Sequence, residues 1–460
     1  MGTIIEKMSE FVTKLDFNII PSEVIEFVKY SVLDLLGNAI MGSTSIESKI
    51  LTEYVTEIDK NSEVTIWGVG KKVSPYWGTI INGVSNEGYD FTAGPGQACA
   101  IPAICIAEKV GDIDGKALIT AIVAAAETMG RLGAGYDRLN RPYPRFYTSA
   151  LLDPWGAVGS VGKILDLSKD ELVNAYGFAG GVMEAGTFGW MKDCTRTKAF
   201  LIGKSLGNGL VGCYLAKKGL PGPKTEVENP FAGFLRSYSG PGYDASRINL
   251  EFPPESWITK NQIFKPYPAC RYVHPYLDAL FEMFKEREIN LEDVDEIVAY
   301  GAKMYWEHVV DPREPRDAPK TVCAANFSLP YVIAVAIKDK QYGLDQLKEE
   351  KFRDPEILNA TKKLQFYLDP EIEKRYHYGP PSWDIPAKLA IRTKDGKESR
   401  VEVDRPWGMP TKPMTQEDLI NKFRDQASRV LSDEKVEKIF STVKALDELA
   451  DVKELVELLS

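Results

Sequence analysis

Residues 387–404 read AKLAIRTKDGKESRVEVD. Ala387–Thr393 and Ser399–Asp404 alternate apolar and polar side chains, the period of a half-buried strand, and Asp395-Gly396 lies between them. Asp-Gly between two alternating runs is a strong hairpin signal. Upstream, Val294–Tyr300 alternates in the same way. Between these strands the sequence predicts a buried helix over Ser328–Ile337 and a charge-rich stretch, Lys348–Lys374. Everything before Phe252-Pro253-Pro254 has a different rhythm. Val24, Phe27, Val28, Val32, Leu35, Leu36, Ala39 and Ile40 recur at helical spacing, between a Pro21-Ser22 start and Gly42. Ile101–Val110, Lys116–Leu132, Trp155–Leu165 and Lys198–Lys217 read as helices buried on most sides, and Ser168 with Glu171 forms a capping box. After Pro413 the chain is helical again and ends in an apolar stripe, Leu446, Leu449, Val452, Leu455, Val456 and Leu459. The fold class is therefore mainly α with an α+β lid. Residues 1–255 and 410–460 make a large helical domain, and 256–409 a smaller inserted one.

Composition narrows the function classes. Of 460 residues 44% are hydrophobic and 27% charged, ordinary globular values that exclude wholesale disorder and fibres. The formal net charge of −10 argues against nucleic acid and anionic membranes as partners. The N-terminus lacks a sustained apolar core, and the strongest apolar run, Ala117–Ala126, is half a bilayer span, so a cytoplasmic protein is expected. Six cysteines without a C-x-x-C pair read as reduced thiols, and three separated histidines give no zinc pattern, so no metal is expected. Gly203-Lys204-Ser205 fails as a P-loop because Ala199 stands where Gly is needed, and neither a G-x-G-x-x-G nor a G-x-S-x-G motif occurs.

Four segments set polar side chains among apolar, Gly- or Pro-punctuated neighbours. Gly88–Gln97 holds one carboxylate, Asp90, with Thr92 and Gln97. A desolvated Asp90 suits base work, and the plainer reading is a cap or Asx turn. Arg138–Thr148 gathers three arginines and two tyrosines, among them Arg145 and Tyr147, which suits carboxylate binding or a solvated loop. Lys192–Lys198 places Lys198 at a helix N-terminus, where a cation opposes the macrodipole and invites an anion; the alternative is an ordinary solvated helix start. Lys265–Pro275 carries Lys265, Arg271 and His274, and Arg271 and His274 share a face if a helix begins here. A lone histidine is otherwise a structural residue. If Lys198 is exposed, its removal disturbs stability little.

In this order the segments resemble the MmgE/PrpD family, which contains 2-methylcitrate dehydratase, cis-aconitate decarboxylase and iminodisuccinate epimerase. The resemblance runs from Ser31–Ala39 through Asn82-Gly83-Val84, Tyr89-Asp90-Phe91, Phe146-Tyr147, Lys198–Gly203, Gly233-Phe234-Leu235, Tyr267–His274 and Asn326–Tyr331 to Val403–Gly408. It implies a helical domain with an α+β lid and an active site between them. It also implies cofactor-free proton abstraction beside a carboxylate of a di- or tricarboxylic acid. Asp90, Lys198 and His274 match the family's Asp, Lys and His. The family's Asp-Asp-Thr and following His-Pro give way to Thr92, Ala93, Gly94, Pro95 and Gln97, and a second family His is Tyr147.

The resemblance makes Asp90, Tyr147, Lys198 and His274 the candidate acid–base and charge-stabilising groups. Arg145, Arg271, Gln97, Thr92 and Lys265 are the candidate substrate contacts. Dehydration of the 2-methylcitrate type is ranked first, dicarboxylate epimerisation or decarboxylation next, and an inactive ligand-binding homologue last. The apolar terminal stripe and the Ala-rich helices suggest a homodimer.

Overall fold

In a computed structural model, residues 2–92, 96–136, 146–183, 186, 189–239, 242–377 and 383–460 are described. The periodic apolar residues from Val24 to Ile40 lie on one helix, Ser22–Gly42, and are almost all fully buried. Each Val or Leu so buried contributes about 1.5–3 kcal/mol of transfer free energy. Around the Ala-rich helices Ala100–Val110 and Gly115–Gly135 pack Thr148–Ile164, Lys169–Gly181 and Thr197–Lys217. Ser168 and Glu171 form the expected capping box. Gly115–Gly135 and Thr197–Lys217 are long and apolar enough to cross a membrane, but 78% and 61% of their most apolar windows are buried inside the chain. Both helices are built into the core.

One helix pair positions the site. Pro75–Glu87 lies along Thr197–Lys217, and the two touch through glycines. A Cβ on Gly83 would fall 2.7 Å from the Gly203 Cα, and one on Gly203 would fall 2.4 Å from the Ile80 carbonyl oxygen. Only glycine allows this approach. It brings the C-terminal end of the first helix, with Glu87, against the N-terminal end of the second, with Lys198.

The α+β part is built on a four-stranded sheet in the order Leu364–Leu368, Val294–Gly301, Ala387–Thr393, Glu398–Val403. The hairpin pairs Leu389 with Val401, and Ile297 pairs with Ile391, both antiparallel. Ile297 also pairs with Leu364 in parallel. That edge strand lies inside the stretch read only as charge-rich. Its burial pattern has a single buried residue, Leu364, which leaves no alternation to detect. The helix His274–Glu286 lies across the hairpin strands and Leu329–Asp339 packs beside it.

The C-terminal return packs on the helical part. Gln416–Ala427 lies on Ser22–Gly42, and Val452–Glu457 on Ala100–Val110. The terminal stripe is one short 3-10 turn, Leu446–Glu448, followed by Val452–Glu457, not one continuous helix. Leu446, Val452, Leu455, Val456 and Leu459 are buried within the chain itself. The stripe is taken up in the chain's own core, with Leu449 half-buried against it.

Candidate active site

The helix Pro75–Glu87 ends at Gly88, and the chain turns through Tyr89 into Asp90 with φ +53°. An aspartate in the left-handed region is sparsely populated and persists only when its surroundings fix it. Asp90 is buried and holds two ammonium groups. Its Oδ1 accepts from the Lys198 Nζ, and its Oδ2 accepts from the Lys265 Nζ at 2.7 Å. Lys198 also donates to Glu87 Oε2 at 2.7 Å, and the other Glu87 oxygen accepts from the Thr92 hydroxyl at 2.7 Å. The Lys198 Nζ lies 5.9 Å from the ring centroids of both Tyr147 and Phe327. The Tyr147 ring meets Trp190 edge-on at 5.9 Å, and Trp190 meets Phe327 at 5.4 Å. Charged groups thus sit against an aromatic wall contributed by both parts of the chain.

Burial alone would raise the Asp90 carboxyl, but Lys198 and Lys265 outweigh it and hold it well below the usual carboxylate range. The two lysines move in opposite directions. Burial opposes the charge on Lys198, yet Asp90 and Glu87 together hold it well above its ordinary value. Among the described residues Lys265 pairs with Asp90 and no second carboxylate; burial, with repulsion from Lys198 and Arg271, brings it down to about 8. Burial raises the Tyr147 phenol, so Tyr147 keeps its proton at neutral pH. His274 is pushed well below its ordinary value by burial and by Lys265, and stays neutral.

The expected residues separate into groups. Asp90, Thr92, Tyr147, Lys198 and Lys265 converge. Arg271 is buried in a 3-10 turn, Arg271–Val273, with its guanidinium 5.6 Å from the Trp383 ring centroid. His274 begins the next helix, so the two do not share a helix face; Nε2 lies 3.2 Å from the Ala269 carbonyl and the ring packs on Tyr267. Gln97 turns its amide nitrogen into the helical part, toward the Ser31 carbonyl and Asp34 Oδ2 at 2.8 Å. Arg145 lies outside the described residues. Lys198 is not exposed: its side chain is 13% accessible. Removing it takes the ammonium partner from buried Glu87 and one of the two from Asp90, so the expectation of a harmless substitution is corrected. Among the described residues no three His, Cys, Asp or Glu side chains gather as metal ligands.

Sequence reading missed Glu87, which looks like the last polar residue of an ordinary helix. Its one signal is its position three residues before Asp90. It also missed Asp153, a buried carboxyl raised well above its usual value by burial and by Glu87.

The MmgE/PrpD N-terminal domain matches residues 6–245, and the MmgE/PrpD C-terminal domain matches residues 267–448. The chain belongs to the MmgE/PrpD family. Among MmgE/PrpD proteins it is 26% identical over 476 residues to human cis-aconitate decarboxylase, covering 100% of this chain and 95% of that protein. It is 25% identical over 477 residues to the cis-aconitate decarboxylase of Aspergillus terreus, covering 96% of this chain and 92% of that protein. A cis-aconitate decarboxylase-like protein of Aspergillus oryzae is 24% identical over 489 residues.

Proposed function

We propose that this MmgE/PrpD chain is a lyase for a di- or tricarboxylic acid, working by proton transfer at a carbon beside a carboxylate. The observation that carries the reading is Asp90, a buried carboxylate gripped by Lys198 and Lys265, with the Tyr147 ring 5.9 Å from the Lys198 Nζ. The free site has the charge pattern of its own ligand: Asp90 occupies the place a substrate carboxylate would take. When an acid arrives, its carboxylate competes for Lys198 and Lys265, and Asp90 loses part of its cation partnership. Its basicity then rises toward the ordinary range, in position to take the proton from the carbon. Lys198 and Lys265 stabilise the charge that builds on the substrate carboxylate, about 3–4 kcal/mol for each well-placed donor. In dehydration, the β-carbon to oxygen bond breaks as the double bond forms, and Tyr147 protonates the departing hydroxyl to give water.

A second reading, decarboxylation, is favoured by the relatives, which are cis-aconitate decarboxylases. There the bond to a carboxyl carbon breaks, CO₂ leaves, and a protonated group such as Tyr147 delivers the proton to carbon. Incubation with citrate, 2-methylcitrate, cis-aconitate and iminodisuccinate in D₂O separates the readings. Rising absorbance of an unsaturated acid supports dehydration. CO₂ with one deuterium in the product supports decarboxylation. Deuterium exchange at the α-carbon without net turnover indicates an epimerase. Binding without exchange or turnover refutes catalysis on these acids.

A further inference from the structure

Four consecutive peptide carbonyls around Asp90 each accept a hydrogen bond from a side chain of a different segment. Arg196 Nη1 donates to the Gly88 oxygen at 2.9 Å, and Asn326 Nδ2 to the Tyr89 oxygen at 2.8 Å. Lys265 Nζ donates to the Asp90 oxygen at 2.7 Å, and Lys422 Nζ to the Phe91 oxygen at 2.8 Å. The Asp90 N–H closes the turn on the Glu87 oxygen at 3.0 Å. The donors come from the loop before Thr197–Lys217, the helix Val322–Asn326, the segment before Arg271 and the C-terminal helix Gln416–Ala427. Each of the three donors besides Lys265 is itself tethered. Arg196 pairs with Glu47 at 3.1 Å, and the backbone of Asn326 is tied through its peptide oxygen, which accepts from the Cys270 N–H at 2.8 Å. Lys422 pairs with Asp34 Oδ1 at 2.6 Å and lies 4.1 Å from the Phe91 ring centroid.

A loop carbonyl needs only one donor, and water or a neutral amide supplies it. Here three of the four donors are cationic, and Lys265 and Lys422 are buried, where an ammonium group loses its hydration. Such an arrangement fixes a backbone that would otherwise relax, and the left-handed Asp90 is the residue that needs fixing. We infer that Lys422 and Asn326 are positioning residues: they hold the Gly88–Phe91 backbone so that the Asp90 carboxylate meets Lys198 and Lys265, and they touch no substrate themselves. The helix Gln416–Ala427 thereby reaches the site from the far end of the chain.

The inference rests on the lyase reading for its kinetic test and stands apart from it in its structural test. In Lys422→Met and Asn326→Ala, kcat is expected to fall roughly 10²-fold while KM stays within a few-fold, because misplacing a reacting group by ~1 Å costs about that much. The acid limb of the kcat/KM profile should move to higher pH as Asp90 loosens from its cations. Lys422→Arg should restore most of kcat. Crystal structures of the two variants should show Asp90 leaving the left-handed region. That measurement applies even if no acid is turned over, in which case the lyase reading alone fails. Either variant keeping wild-type kcat, or Asp90 unmoved in both, overturns the inference. If Lys422→Met does not fold, Asn326→Ala alone decides.

Discussion

Replacing Lys198 by Met removes one charge from a buried cluster whose described members are Glu87, Asp90, Lys198 and Lys265. Asp90 then keeps only Lys265, whose pKa burial already brings down to about 8, and Glu87 keeps the Thr92 hydroxyl in place of an ammonium group. Breaking a buried pair typically destabilises by about 3–5 kcal/mol. The loss carries a pH signature. In the wild type the depressed Asp90 contributes stability that is present above its unfolded pKa and is lost as pH falls through the folded one. In the variant Asp90 has one cation instead of two and is depressed less, so the stability gap to wild type narrows as pH falls from 7 toward the ordinary carboxylate range. Thermal melting of both proteins between pH 4.5 and 7.5 measures this, and adding Glu87→Gln to the variant should recover part of the loss. Turnover should fall by about 3–4 kcal/mol of transition-state stabilisation, some 10²–10³-fold. A Lys198→Met protein that melts with wild type at pH 7, with the same pH slope, refutes the coupled cluster.

Tyr147→Phe keeps the aromatic contact with Trp190 and should preserve the fold while lowering kcat roughly 10²–10⁴-fold, as expected for loss of a general acid; circular dichroism and initial rates check both halves. With burial bringing Lys265 down to about 8, KM for a polycarboxylate should rise above about pH 8 as the ammonium loses its proton, and Lys265→Arg should remove that limb from the pH profile. Gly83→Ala puts a methyl group 2.7 Å from the Gly203 Cα, which should destabilise by about 1–3 kcal/mol and lower kcat by shifting Glu87 against Lys198; unchanged melting and kinetics contradict the glycine contact.

The split into a helical part and an α+β part was legible because period 3.6 and period 2 leave different marks, and because Asp395-Gly396 names its own turn. The parallel edge strand Leu364–Leu368 was not, since its partner Ile297 lies far upstream and only one of its side chains is buried. In the site, Asp90, Lys198 and Lys265 stood out as charged residues in apolar, punctuated segments, and the resemblance of Asp90 and Lys198 to family motifs added order. Glu87 and Lys422 were hidden for one reason. Lys422 sits in an amphipathic helix and Glu87 in the last turn of a helix, both places where a charge is normally solvated, and only the tertiary contact turns each inward. Lys422 meets the loop 331 residues away in sequence, a pairing no local pattern announces.

A crystal soaked with a tricarboxylate tests the central claim most directly. The account predicts one carboxylate bridging Lys198 and Lys265, Asp90 moved off at least one of them, and an Asp90 oxygen facing a carbon next to that carboxylate. A tricarboxylate bound elsewhere, with Asp90 still held by both lysines, would contradict it.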